Sequence, residues 1–221
     1  MFVMTKQENI WQGDFGKKYS IRNNFTPAEL DKLYVKTFGF SASKITKSFL
    51  GNMNKNIKII EVGSNVGNQL LLLQKLGFKN LYGIEINEYA VENAKTRSHG
   101  INIIQGSAFD MPFKDGYFDV VFTAGVLIHI HPKDVKKVLS EIYRCSGKYI
   151  WGYEYYSPVC EEISYRNNKS IMWKADYQSI YMNNFPDLKL VKNEFMKYID
   201  NDNVDVMFLL KKIGDPKKCQ Y

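Results

Sequence analysis

The stretch from Ile57 to Gly67, reading IKIIEVGSNVG, constrains this chain more than any other. Ile57, Ile59, Ile60 and Val62 are β-branched, as suits a parallel strand covered on both faces by helices. Gly63 and Gly67 then allow a sharp turn and a close approach of backbone to ligand, and Gln69 to Lys75, with four consecutive leucines, reads as a helix. Strand, glycine loop and helix together make a unit that seats a nucleotide-like ligand at a helix N-terminus. A pyrophosphate site would read G-x-G-x-x-G, whereas Asn65 stands here where a second glycine is usual. Glu61, two residues before Gly63, is unfavourable beside a pyrophosphate and favourable beside a cation.

Glu61-Val-Gly63-Ser-Asn65-Val-Gly67 resembles the first motif, E/D-x-G-x-G-x-G, of the class I S-adenosylmethionine-dependent methyltransferases. That ligand has an ammonium, a sulfonium and no phosphate. A second signal is independent of the first. Asn80 to Ile86 reads as the next strand, and Glu85 stands 22 residues after Gly63, the interval at which a carboxylate meets ribose hydroxyls. Glu88 to Arg97 reads as a helix and Ile101 to Gln105 as a third strand. It opens into Gly106-Ser107-Ala108-Phe109-Asp110-Met111-Pro112-Phe113, similar to the family's G-D-A-x-D-L-P-F segment, which contacts adenine. Ser107 replaces an aspartate there, and a hydroxyl is a weaker partner for the exocyclic amine. Phe109 is placed either to pack on adenine or to fill the core.

Tyr117 to Thr123 forms the fourth strand, with Asp119 in a structural position at its start and the backbone of Thr123 and Ala124 at the ligand edge. Pro132 opens an amphipathic helix, Ser146 to Glu154 forms the fifth strand, and Tyr177 to Phe185 a helix stopped by Pro186. Leu188 to Tyr198 and Val204 to Ile213, joined across Asp200 to Asn203, make an antiparallel pair. The expected fold is α/β, a Rossmann-like class I methyltransferase. It has a seven-stranded mostly parallel sheet with the last strand antiparallel, helices on both faces and an N-terminal helical cap. At 221 residues with 45% hydrophobic content, 1–221 reads as one domain, with 1–50 as the cap and 155–176 as a substrate-recognition insertion. In the cap, Thr26-Pro27-Ala28-Glu29 is a capping box that should start a helix, while Trp11 to Asn23 is less regular.

Composition narrows the setting. No apolar run reaches the roughly 20 residues that span a bilayer, and Met1 to Asn9 lacks a signal-peptide core, so a cytoplasmic location is expected. Cys145, Cys160 and Cys219 have neither disulfide nor zinc spacing. The net charge of +7 admits an acidic partner, but the lysines are scattered, so nucleic acid is not the expected one. No metal is expected, since His129 and His131 lack a third ligand. Gly214 to Tyr221 reads as a frayed tail.

The resemblance extends further. Trp11 to Asn23, Gly125 to Ile130, Tyr143 to Ser146, Glu154 to Tyr156 and Ser164 to Arg166 are similar to the methylases found with pseudaminic acid biosynthesis. This implies a sugar or carboxylate-bearing metabolite of bacterial surface-glycan biosynthesis as acceptor, methylated on oxygen or nitrogen. The alternatives are an RNA or protein methyltransferase and a non-catalytic methyltransferase-like binding subunit. S-adenosylmethionine is the expected cofactor, held by Glu61, Gly63, Asn65, Gly67, Glu85, Ile86, Ser107, Ala108, Phe109, Thr123 and Ala124. His129, Glu154 and Tyr19 are the catalytic candidates. Arg22, Asn23, Tyr155, Tyr156, Tyr165, Arg166 and Trp173 are the substrate-binding candidates, with the arginines suited to an anionic acceptor.

Overall fold

A computed structural model describes residues 4–166 and 168–214. Cys219 and most of the expected C-terminal tail lie outside the described residues.

Helices α1 (Lys6–Gln12), α2 (Asp14–Arg22), α3 (Pro27–Phe38) and α4 (Ala42–Leu50) precede the first strand. The central alternation runs β1 (Lys58–Val62), α5 (Asn68–Lys75), β2 (Asn80–Glu85), α6 (Glu88–Arg97), β3 (Ile101–Gln105), β4 (Phe118–Ala124), a short 3₁₀ turn (Leu127–His129), α7 (Pro132–Cys145) and β5 (Ser146–Tyr155). Then come β6 (Glu161–Glu162), β7 (Trp173–Lys174), α8 (Tyr177–Asn184), β8 (Leu188–Lys197) and β9 (Val204–Lys212). The main sheet has the order β3-β2-β1-β4-β5-β9-β8, with β9 inserted antiparallel between β5 and β8. This is the expected Rossmann-like sheet. Strand order reverses between β1 and β4, the crevice where open α/β sheets bind ligands.

Burial on both faces explains the apolar strands. Ile59 packs with Leu70, Leu72, Leu73 and the α3 and α4 side chains, whereas Ile60 and Val62 pack with Val138, Leu139 and Ile142 of α7 on the opposite face. Thr26 and Glu29 form the expected capping box. Trp11 to Asn23, in contrast, is regular: it lies in α1 and α2, joined at Gly13. The cause is a second capping box, Thr5 with Glu8, which the sequence carries as T-K-Q-E. Gly16 lets the two helices close up, because a Cβ there would lie 1.8 Å from the Trp11 carbonyl oxygen. His131 caps α7 by accepting from the Lys133 N–H, and Asp119 accepts from the Lys58 N–H at 2.8 Å, both structural roles.

Candidate active site

A cavity of about 480 Å³ opens over the C-terminal ends of β1, β2, β4 and β5, a size typical of small-molecule sites. Its floor is the glycine loop. Gly63 has φ +72° and Asn65 φ +47°, so Asn65 occupies the left-handed region that asparagine tolerates better than most side chains. The asparagine thus meets the backbone demand that glycine meets in the usual motif. The Ser20 hydroxyl donates to Asn65 Oδ1 at 2.6 Å, tying α2 to the loop.

Glu85 is buried and pins two loops, since Oε2 accepts from the Asn65 N–H and Oε1 from the Asn87 N–H, both at 2.8 Å. Burial raises its carboxyl pKa, and these N–H donors oppose the rise. Glu61 is buried with Oε2 unpartnered among the described residues, and desolvation, with Glu85 nearby, holds its pKa well above the carboxylate range. On the adenine side of the expected arrangement, Ser107 donates to Glu8 Oε1 and accepts from the Phe109 N–H at 3.0 Å. Glu8 therefore brings a carboxylate next to the position where the family segment would carry one. Phe109 both lines the cavity and packs against the core.

The roof comes from α1, α2 and the 155–176 segment. Trp11 lies over His129 with ring centroids 4.3 Å apart, and Phe15 meets Tyr165 edge-on at 6.2 Å. His129 Nδ1 lies 2.9 Å from the Ile171 carbonyl oxygen, which can only accept, so Nδ1 carries the proton and Nε2 the lone pair. Burial pushes this imidazole down to about 4. Glu154, at the end of β5, is 1% exposed; Oε1 accepts from the Val126 N–H at 3.2 Å and Oε2 has no partner among the described residues. Desolvation pushes its carboxyl up to about 7. Tyr19 is raised by burial and by Tyr165, Tyr155 and Glu85, which keeps its phenol a donor rather than a base.

Of the residues singled out in the sequence, Tyr19, Asn23, Glu61, Gly63, Asn65, Glu85, Ile86, Ser107, Ala108, Phe109, Ala124, His129, Glu154, Tyr155 and Tyr165 line this cavity. Six do not. Gly67 is the N-cap of α5 and faces Ile103 and Ala94. Thr123 is buried beside Glu154. Tyr156 packs edge-on against Phe195 at 4.8 Å, and Trp173 is a buried anchor against His131. Arg22, in the last turn of α2, and Arg166, in a left-handed turn, are both exposed. The anionic acceptor expected from these two arginines thus loses its cationic partners: among the described residues the lining contains no Lys or Arg, and its carboxylates are Glu8, Glu61, Glu85, Glu154 and Asp205. Sequence reasoning missed Glu8, although the T-x-x-E spacing marked it, and Trp11 as a lining residue. It also missed Asp205, which carries no local signal.

Residues 60–149 match the family described as "Methyltransferase domain". Over 151 residues the chain is 28% identical to "Sterol methyltransferase-like 1" of Botryococcus braunii, covering 65% of this chain and 37% of that protein. Over 114 residues it is 25% identical to the phosphoethanolamine N-methyltransferase of Plasmodium falciparum, covering 50% of this chain and 42% of that one. The chain therefore spans well under half the length of these curated relatives. Among solved structures it resembles the Burkholderia thailandensis 1,6-didemethyltoxoflavin-N1-methyltransferase with bound 1,6-didemethyltoxoflavin and S-adenosylhomocysteine. The TM-score is 0.69 at 12% identity, over 96% of this chain and 92% of that one. At this identity the likeness speaks for the fold. Among the described residues no helix is long and apolar enough to cross a membrane.

Proposed function

We propose, from the premise that the chain carries a class I S-adenosylmethionine-dependent methyltransferase domain, that it methylates an oxygen or nitrogen of a small metabolite enclosed in this cavity. One observation supports this most. A single cavity joins the glycine loop, Glu85 and the 107–109 segment to a buried carboxylate, Glu154, at the end of the fifth strand. The donor set suits this cofactor, because among the described residues an unpartnered Glu61 oxygen and a lining without Lys or Arg favour an ammonium and a sulfonium over a pyrophosphate.

In this reading Glu61, Gly63, Asn65 and the Ala124 backbone hold the methionine end, Glu85 and Ile86 the ribose, and Ser107, Ala108 and Phe109 the adenine. S-adenosylmethionine supplies a methyl group on an already activated sulfonium. The chain's own task is to align the acceptor and exclude water. Trp11, Tyr19, Tyr165 and Met172 close over the site, and Glu154 takes the acceptor's proton. His129, neutral with its lone pair on Nε2, orients the acceptor. The surface-glycan setting rests on the motif resemblance to the pseudaminic acid-associated methylases. A carboxylate on that acceptor is disfavoured by the acidic lining.

Calorimetry with S-adenosylmethionine tests the reading: binding in the micromolar range is expected, and none at ~1 mM would favour a non-catalytic subunit. Glu8→Gln keeps the capping box but removes the charge beside Ser107. It should weaken S-adenosylmethionine about three- to tenfold with little change in melting temperature. Unchanged affinity would make Glu8 purely a helix cap.

A further inference from the structure

The cavity has a second lobe to which the cofactor reading assigns nothing. It lies beneath α3, lined by Tyr34, Tyr153, Tyr155, Tyr198 and Asp205. The rings of Tyr34 and Tyr153 are 5.7 Å apart, and those of Tyr155 and Tyr198 6.1 Å. Asp205, at the start of β9, is 1% exposed. Its Oδ2 accepts from the Tyr198 hydroxyl at 3.2 Å, while Oδ1 has no partner among the described residues. An orphaned carboxylate oxygen inside a protein is costly unless a ligand completes it.

Position separates Asp205 from the cofactor, while Tyr34 reaches back toward it, acted on by both Asp205 and Glu61 and accepting from Gln69 Nε2 at 3.4 Å. In the sheet β1 and β9 are separated by β4 and β5, so at ~4.8 Å per strand Asp205 stands about 14 Å from the strand that leads into the glycine loop. Asp205 pairs in register with Tyr155, at the end of β5 that also carries Glu154. The lobe therefore adjoins the acceptor end.

Charge indicates what it takes. The chain is rich in Lys and Arg, with 30 of them, yet among the described residues none lines the cavity. Lys174 does act on Asp205 and its ammonium lies 5.8 Å from the Tyr155 ring centroid, but it donates to Asn203 and stays outside the lining. Desolvation pushes the Asp205 carboxyl up to about 7, opposed by the Tyr153 and Tyr198 hydroxyls, with Glu154 adding to the rise and Lys174 only weakly offsetting it.

We infer that this lobe is the recognition subsite for an ammonium group on the methyl acceptor, held by Asp205 and enclosed by the four tyrosine rings. The inference rests on the methyl-transfer reading above and adds the acceptor's charge class. An ammonium carries three donors, which Asp205 Oδ1 and the phenol oxygens accept, and the ring faces add cation–π attraction. A carboxylate in the same place would meet like charge. The ammonium is a handle, and the atom that receives the methyl group sits nearer Glu154.

The test uses the full chain saturated with S-adenosylhomocysteine, titrated calorimetrically with cyclohexylammonium, cyclohexanol and cyclohexanecarboxylate at neutral pH. Cyclohexylammonium should bind about tenfold or more tighter than either isostere. Asp205→Asn should abolish that preference and Tyr198→Phe reduce it, with S-adenosylhomocysteine affinity within about twofold of wild type. Equal or tighter binding of the alcohol or carboxylate, no binding of any probe at ~100 mM, or an intact preference in Asp205→Asn overturns the inference. Should Asp205→Asn fail to fold, the wild-type comparison and Tyr198→Phe decide it. Failure of S-adenosylhomocysteine to bind wild type counts against the methyl-transfer reading instead, and the same three probes on the free protein then judge the lobe by itself.

Discussion

Replacing Glu154 by Gln should lower kcat by about 10²- to 10⁴-fold at neutral pH while leaving S-adenosylmethionine affinity within about twofold. The effect is large because the position combines burial, a free oxygen and a matched acidity. Glu154 Oε2 lacks a partner among the described residues, and desolvation outweighs the Thr123 hydroxyl and the backbone donors of residues 126–128 to set the carboxyl at about 7. A base with that acidity is half ready at neutral pH and still takes a proton with useful driving force. His129, pushed down to about 4, is the weaker base of the two. The wild-type kcat/KM should therefore rise with pH through an apparent pKa of about 7, and Glu154→Gln should flatten that limb. His129→Gln should keep it. A Glu154→Gln enzyme within tenfold of wild type, with its acid limb intact, would exclude Glu154 as the base.

The same group should mark the protein's stability. Its folded pKa lies above the unfolded carboxyl value of about 4.3, so between about 4 and 7 the folded state binds more protons than the unfolded chain. Stability then falls as pH rises through that window. The ceiling of the effect is about 4 kcal/mol at pH 8, at roughly 1.4 kcal/mol per pKa unit. Glu154→Gln should consequently melt several degrees above wild type at pH 8 and close to it at pH 4. A catalytic loss joined to a thermal gain separates a functional carboxylate from a structural one.

Gly63→Ala should weaken S-adenosylmethionine about 100-fold or more. A Cβ at residue 63 would lie 2.6 Å from Val126 Cγ2 and 3.1 Å from Cγ1, and φ is +72°. The left-handed conformation costs alanine roughly 1–2 kcal/mol. Val126 turns its side chain away only at a cost, being β-branched, and its backbone is held by the N–H bond to Glu154. The loop must then move, carrying Asn65 off Glu85. Adding Val126→Ala removes the collision but keeps the backbone strain, so the double variant should recover part of the affinity. Binding by Gly63→Ala within threefold of wild type would show that the loop does not carry the cofactor.

The strands, the glycine loop and Glu85 were legible because their signals act over a few residues. A strand buried on both faces must be apolar, a left-handed turn must hold Gly or Asn, and a strand-end carboxylate follows its loop at a fixed interval. Thr26 to Glu29 announced α3 in the same way, and Thr5 to Glu8 announced α1 although the aromatic run after it masked the signal. The arginines illustrate the limit. Arg22 and Arg166 flank segments that reach the cavity, but helix phase and a left-handed turn leave both exposed. Trp173 likewise is a buried anchor against His131.

The sequence by itself determined the sheet and the loop, since backbone requirements and burial write themselves into neighbouring residues, and its motif resemblance pointed to a cofactor class. Only the tertiary structure decided the chemistry of the cavity's far end. Ser107 meets Glu8 across 99 positions, and Asp205, near the end of the chain, reaches the tyrosines of α3 and β5 because β9 inserts between β5 and β8. Such a meeting depends on which strand ends share one edge of the sheet and which side chains find no partner there, and neither is a property of any short stretch of chain.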